Sequence, residues 1–263
     1  MVVCGDSMEL NRDYESAAIY KWRKKRKKAF VLFICIVGIC FLLTRMVRVE
    51  DKTTVKVHNM HTEQNEKAIR YVASNMIKED PKIAITFDDG PSPAWTPQLL
   101  DGLKERNVKA TFFLIGENAK NNPELVKREA EEGHLIGNHT YHHVEITRVP
   151  DETAQEEILM TNEVITGITG EEVSYMRPPF GVWQKNLERK LDVMPVLWTI
   201  DPLDWTTDNE DEIINKVVTQ AGENDIILLH DCYESSVNAA LRIVDILQKE
   251  GFEFVTVDEL IMN

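Results

Sequence analysis

Short apolar runs that alternate with amphipathic stretches predict an α/β fold over the last two-thirds of this chain. Parallel strands joined by helical crossovers would form a barrel or a doubly wound sheet. Two observations predict it. From Lys82 onward, strand-like and helix-like segments follow one another in turn. In addition, five short motifs each fall at or just past the end of a predicted strand, and in a barrel strand C-termini converge on one mouth.

The elements run as follows. Lys82–Phe87 is a short buried-strand run and Pro97–Arg106 is helical. Ala110–Ile115 reads as a strand, Pro123–Glu132 as a helix and His134–Gly137 as a strand. Glu152–Thr166 is a helix bounded by Gly167 and Gly170, and Ser174–Met176 and Pro195–Thr199 are strands. Glu210–Ala221 is a helix, Asp225–Leu229 a strand, Val237–Lys249 a helix with Gly251 at its end, and Phe252–Thr256 a last strand. No short-period repeat underlies this alternation.

The first 81 residues differ in character. Residues 1–28 form a short tail ending in the basic block Lys21–Lys28, and Ala29–Leu43 is an unbroken apolar run. At about 1.5 Å per residue that run reaches only about 23 Å, short of a hydrocarbon core of about 30 Å. Met46 and Val47 extend it, and Lys28 and Arg45 can snorkel to the headgroups. No small-residue cleavage site follows, so residues 29–47 are expected to be an uncleaved transmembrane signal anchor rather than a signal peptide. The basic flank places the N-terminus in the cytoplasm and the remainder outside. Residues 48–81 read as a stalk; Ile69, Val72, Ala73, Met76 and Ile77 lie at helical spacing within it. The C-terminal α/β domain is expected over 82–263.

The net charge is −14. Roughly four net positive charges lie before Ala29 and roughly eighteen net negative charges after Thr44. An acidic domain lacks the basic footprint of a nucleic-acid binder, so no nucleic-acid partner is expected. Of the four cysteines only Cys232 falls in the C-terminal domain, which therefore forms no internal disulfide. The sequence leaves the oligomeric state open.

The motifs are Thr86–Pro91 (TFDDGP), His139–His143 (HTYHH), Arg177–Gly181 (RPPFG), Asp201–Trp205 (DPLDW) and Leu228–Asp231 (LLHD). His139 and His143, four apart, can face the same way on a helical turn. With Asp89 they make two nitrogens and one carboxylate oxygen, which leaves positions open for water and substrate, as a catalytic zinc site requires. His142 competes for this role but points away from the pair. Asp88, beside Asp89 at a strand end, stays free to take a proton from an attacking water. Arg177 can hold Asp88 ionised and oriented. Pro178-Pro179 stiffens the next loop, whose Phe180 N–H is placed to donate to a developing oxyanion. His230 is the natural general acid, with Asp201 the carboxylate expected to keep its imidazole charged and aimed. Trp205 and Leu228 supply an apolar wall suited to an acetyl methyl group.

In these motifs and their order, the domain from about Lys82 onward resembles the NodB-type polysaccharide deacetylases, carbohydrate esterase family 4. The resemblance implies a distorted (β/α) barrel of seven or so strands. It implies a divalent metal, zinc in the first place with cobalt or nickel as alternatives, on Asp89, His139 and His143. It also implies Asp88 as base and His230 as acid, with Arg177 buttressing the first and Asp201 tuning the second. Phe180 stands where many relatives carry tyrosine.

The expected activity is removal of N-acetyl groups from an N-acetylated glycan. A stalk of about 36 residues at roughly 3.4 Å each reaches only about 120 Å from a membrane, which favours peptidoglycan N-acetylglucosamine. The same site could serve an O-acetyl esterase acting on a polysaccharide such as xylan. A vestigial glycan-binding protein would have lost a ligand or Asp88, and all are present.

Overall fold

The computed structural model describes residues 80–184, 187 and 191–262. The tail and anchor expected over 1–28 and 29–47, and the stalk up to residue 79, lie outside the described residues. No helix among the described residues is long and apolar enough to cross a membrane.

The fold is built outward from β1 (Lys82–Asp88), a strand with no exposed residue. Its neighbours are β2 (Thr111–Leu114) on one side and β6 (Ile226–His230) on the other, and β7 (Glu253–Phe254) pairs with Lys82 and Ile83. The sheet continues through β3 (Leu135–Asn138), β4 (Tyr175–Met176) and β5 (Met194–Pro195), all parallel, in the order β5-β4-β3-β2-β1-β6.

The segment after β5 joins the two edges. At its start Met194 and Val196 donate to the carbonyls of Ser174 and Met176 beside β4; at its end Thr199 and Ile200 donate to Ile226 O, and Leu228 N–H donates to Ile200 O. The Pro195–Thr199 strand expected from sequence is thus short. Only Met194–Pro195 ladders with β4, because the chain then leaves that edge to reach β6.

Strand alternation sorts β1 into two faces. Ile83, Ile85 and Phe87 pack outward with Ile227 and Leu229 against the helices, in one cluster. Helices that contribute to that cluster include α1 (Thr96–Glu105), α3 (Pro123–Glu131), α5 (Glu210–Val218) and α6 (Glu234–Lys249). Ala84 points the other way, into a second cluster with Phe113, Val196, Val255, Val257 and Leu260. Thr86 and Asp88 continue that inward face, so a row that begins apolar ends polar at the strand C-termini.

Helix α4 (Asp151–Thr169) carries Ala154, Glu157, Ile158, Thr161 and Ile165 on its buried face and ends on Gly170, whose φ of 79° closes the C-terminus in a left-handed turn. Two helices were not anticipated. Both α2 (Gly116–Asn121) and α7 (Val257–Met262) are six residues long, too short to show a period. In α2 one glycine and two asparagines also work against helix propensity.

Candidate active site

Every motif reaches the same end of the sheet because β1, β3, β4 and β6 run parallel. Asp88 is the last residue of β1 and pairs across the ladder with His230, the last of β6. His139 directly follows β3, and Arg177 directly follows β4.

Arg177 is fully buried. Its Nη1 donates to Asp88 Oδ1 at 2.8 Å and to Thr86 Oγ1 at 2.7 Å, and Nε donates to Val196 O at 3.3 Å. The guanidinium also lies over the Phe113 ring, 4.3 Å from its centroid. Thr86 passes the link on by donating to Ile227 O at 2.6 Å. A buried charge needs this kind of pairing. One oxygen of Asp88 is thereby fixed, while Oδ2 faces His139 Nε2 at 3.8 Å.

Asp89, His139 and His143 place one ligand atom each within 4.8 Å of the others. The Nε2 atoms of the two histidines lie 3.3 and 3.4 Å from Asp89 Oδ1. That oxygen is buried and has no hydrogen-bond partner. A buried carboxylate oxygen without a donor, facing two imidazole nitrogens, is the donor set a divalent metal completes. His139 Nδ1–H donates to Arg177 O at 2.6 Å, which leaves Nε2 bare for a ligand bond. Burial would raise the Asp89 carboxyl, but the neighbouring His139 holds it well below the usual carboxylate range. His139 itself is raised, since Asp88 and Asp89 outweigh burial. The site therefore attracts positive charge.

The two histidines do not converge by the helical turn expected from their spacing. Residues 139–143 form a loop in which Thr140 and His143 have φ of 60° and 55°. Seven described non-glycine residues have positive φ. Two are asparagines, which tolerate it; the other five are Asp89, Thr140, His143, Phe180 and Leu203. Backbone strain is thus concentrated at this site.

His230 is corrected in its partner. Its Nδ1–H donates to Asp204 Oδ1 and its backbone N–H to Asp204 Oδ2, both at 2.8 Å. Asp204, not Asp201, is the contacting carboxylate. Asp201 Oδ1 instead accepts from Leu203 N–H at 2.8 Å, and the left-handed Leu203 turns the chain so that Asp204 reaches inward. Burial alone would lower the His230 imidazole, but the Asp204 hydrogen bond and charge bring it up to about 9.

Around the mouth lie exposed aromatic rings. Phe180 is 52% exposed, Trp205 43% and Tyr233 41%. Phe180 meets His143 edge-on, ring centres 5.0 Å apart. The turn it sits in is closed by Gly181 N–H donating to Pro178 O, not by the Phe180 N–H. Leu228 is buried on β6 two positions before His230, hence on the same face. Of the two residues expected to form an apolar wall, Trp205 is exposed and Leu228 is buried.

Some residues went unassigned in the sequence. Asp231 lies fully buried beneath Gly90, where any Cβ would come within 2.6 Å of its carboxylate. Thr96 Oγ1 donates to it, and burial pushes it up to about 7. Asn118 Nδ2 donates to Asp89 O at 2.8 Å. Together they brace the turn that presents both catalytic-motif aspartates. Cys232, two residues after His230, is not in the metal-binding group, and burial pushes its thiol up beyond the usual range.

Residues 75–196 match the family described as polysaccharide deacetylase. The chain is 37% identical over 216 residues to the peptidoglycan-N-acetylglucosamine deacetylase PgdA of Listeria monocytogenes, covering 80% of this chain and 46% of that protein. It therefore spans less than half of that relative's length. A peptidoglycan-N-acetylglucosamine deacetylase of Bacillus cereus is 39% identical over 199 residues, 73% of this chain and 93% of the relative. Among solved structures, the peptidoglycan deacetylase PdaC of Bacillus subtilis superposes with a TM-score of 0.67 at 39% identity, over 69% of this chain and 90% of that one.

Proposed function

The chain belongs to the polysaccharide deacetylase family, and from that membership we propose that it hydrolyses N-acetyl groups from the amino sugars of peptidoglycan, N-acetylglucosamine first. The observation that carries the reading is the convergence of Asp89, His139 and His143 beside Asp88 and His230 at one end of the sheet. The relatives named as peptidoglycan deacetylases support the substrate class. A divalent metal on Asp89, His139 and His143, zinc by donor type, would supply the Lewis acid that activates water and polarises the acetyl oxygen.

The remaining work belongs to the chain. Arg177 pins Asp88 Oδ1 and leaves Oδ2 to accept the proton of the attacking water. The Phe180 N–H donates to the oxygen that becomes negative as the carbonyl carbon turns tetrahedral. His230, protonated and aimed by Asp204, gives its Nε2 proton to the departing nitrogen, so that an amine and acetate leave. Leu228 offers apolar surface to the methyl group, and Trp205, Phe180 and Tyr233 offer ring faces to the sugar.

The apolar run Ala29–Leu43 behind its basic block supports a membrane anchor over 29–47 with the catalytic domain outside. Acetate release from peptidoglycan and N-acetylglucosamine oligomers, set beside release from O-acetylated xylan, tests the reading. Faster release from the N-acetylated substrates is expected; release from acetylated xylan alone would make the protein an O-acetyl esterase.

A further inference from the structure

We infer that Glu157, together with His142, clamps the loop between the two histidine ligands and so sets the affinity of the metal site; Glu157 is a positioning residue. The inference rests on Asp89, His139 and His143 holding a metal.

His142 lies between the ligands in sequence yet turns away from them. Its Nδ1–H donates to Glu157 Oε1 at 2.8 Å. Its backbone N–H, at 2.8 Å, and that of Tyr141, at 3.0 Å, both donate to Glu157 Oε2. Three N–H donors meet two oxygens, and a carboxylate is the side chain that only accepts. Glu157 is 7% exposed on the buried face of α4. Among the described residues its ion-pair partner is His142.

Other polar groups of the loop are held by α2 and β3. The carbonyls of Thr140 and Tyr141 accept from Gly116 N–H at 2.9 Å and Glu117 N–H at 3.0 Å. Thr140 N–H donates to Asn138 Oδ1 at 2.7 Å. Thr140 and His143, on either side of the clamped peptides, hold left-handed backbone, which for these residue types persists only when the surroundings enforce it. Glu157 supplies that enforcement along the stretch from His139 to His143. Without it the ligand nitrogens lose their shared focus on Asp89 Oδ1.

The test uses full-length protein stripped of metal, with zinc affinity read by competition against a chromophoric chelator and urea stability of the metal-free form measured in parallel. Glu157→Ala is expected to weaken zinc binding by about ten- to hundred-fold. Glu157→Gln, which keeps one oxygen for the two backbone donors, is expected to fall between Glu157→Ala and wild type. His142→Ala, which loses only the ring, is expected to bind most nearly like wild type. Should Glu157→Ala fail to fold, Glu157→Gln decides. Zinc affinity within two-fold of wild type in the glutamate variants overturns the clamp, even if metal-free stability drops. So does a ranking in which His142→Ala binds worst, since that would make the ring itself a ligand. If wild type takes up no zinc, the metal reading fails instead.

Discussion

His230 keeps a proton at neutral pH because Asp204 accepts from its ring and the nearby carboxylate charges favour the imidazolium. Replacing Asp204 with asparagine should move the alkaline limb of the pH–rate profile down by about one unit or more, since a lost ionic hydrogen bond is worth that much. Asp201→Asn keeps the acceptor for Leu203 N–H and should leave that limb in place. A pH series on both variants checks the pair. The sequence displays both carboxylates, and the expectation of Asp201 misses because the pairing depends on the left-handed turn at Leu203. Most of the chemistry-bearing side chains were legible because few reactions need an Asp-Asp pair, spaced histidines, a buried arginine and a terminal histidine together. Glu157 left a readable signal that went unused: a charged residue inside the otherwise buried stripe Ala154, Ile158, Thr161, Ile165. Asp231 closes the fifth motif, but its role was not legible there, since its burial follows from the close approach of Gly90.

At the scale of elements, α4 offers a pair of substitutions with opposite signs. Gly167 is exposed inside the helix with open space around it, so Gly167→Ala should stabilise by about 0.5–1 kcal/mol. Gly170 has φ 79°, so Gly170→Ala should destabilise by about 1 kcal/mol. Urea midpoints of the two variants decide. From sequence both glycines bounded this helix; in fact it runs through the first and stops at the second. The other long elements fall within a few residues of their expected bounds, since each buries a periodic face. The short ones do not announce themselves. The ligand loop shows the same limit: four-residue spacing suggested a helical turn, whereas hydrogen bonds from α2 and α4 impose an irregular one.

For the molecule as a whole, the buried ionisable groups set a pH dependence of stability in the metal-free form. His230 is raised to about 9 from an ordinary 6.5, so its contribution is full below about pH 6.5 and lost as pH rises through 9. Asp231, raised by burial from 3.8 to about 7, and Glu129, raised by burial and by Asp231, act in the same direction, Asp231 mainly between those two pH values and so below the range that His230 governs. Below pH 6.5 the buried His134, depressed to about 4 by burial, opposes them. Urea midpoints should therefore fall steadily from pH 6.5 to 9, and a flat profile there would contradict these assignments. The parallel architecture was legible in the alternation of elements; its closure was not, because the segment joining β4 to β6 makes hydrogen bonds at its two ends with different edges.

The account stands most directly on Asp88. Acetate release from N-acetylglucosamine oligomers should be measured for wild type and Asp88→Asn, with bound zinc quantified in each. The geometry predicts that the variant keeps its zinc, because Asp89, His139 and His143 are intact, and loses at least about a hundred-fold in rate. A variant that keeps both its zinc and its rate would contradict the assignment of Asp88 as the base.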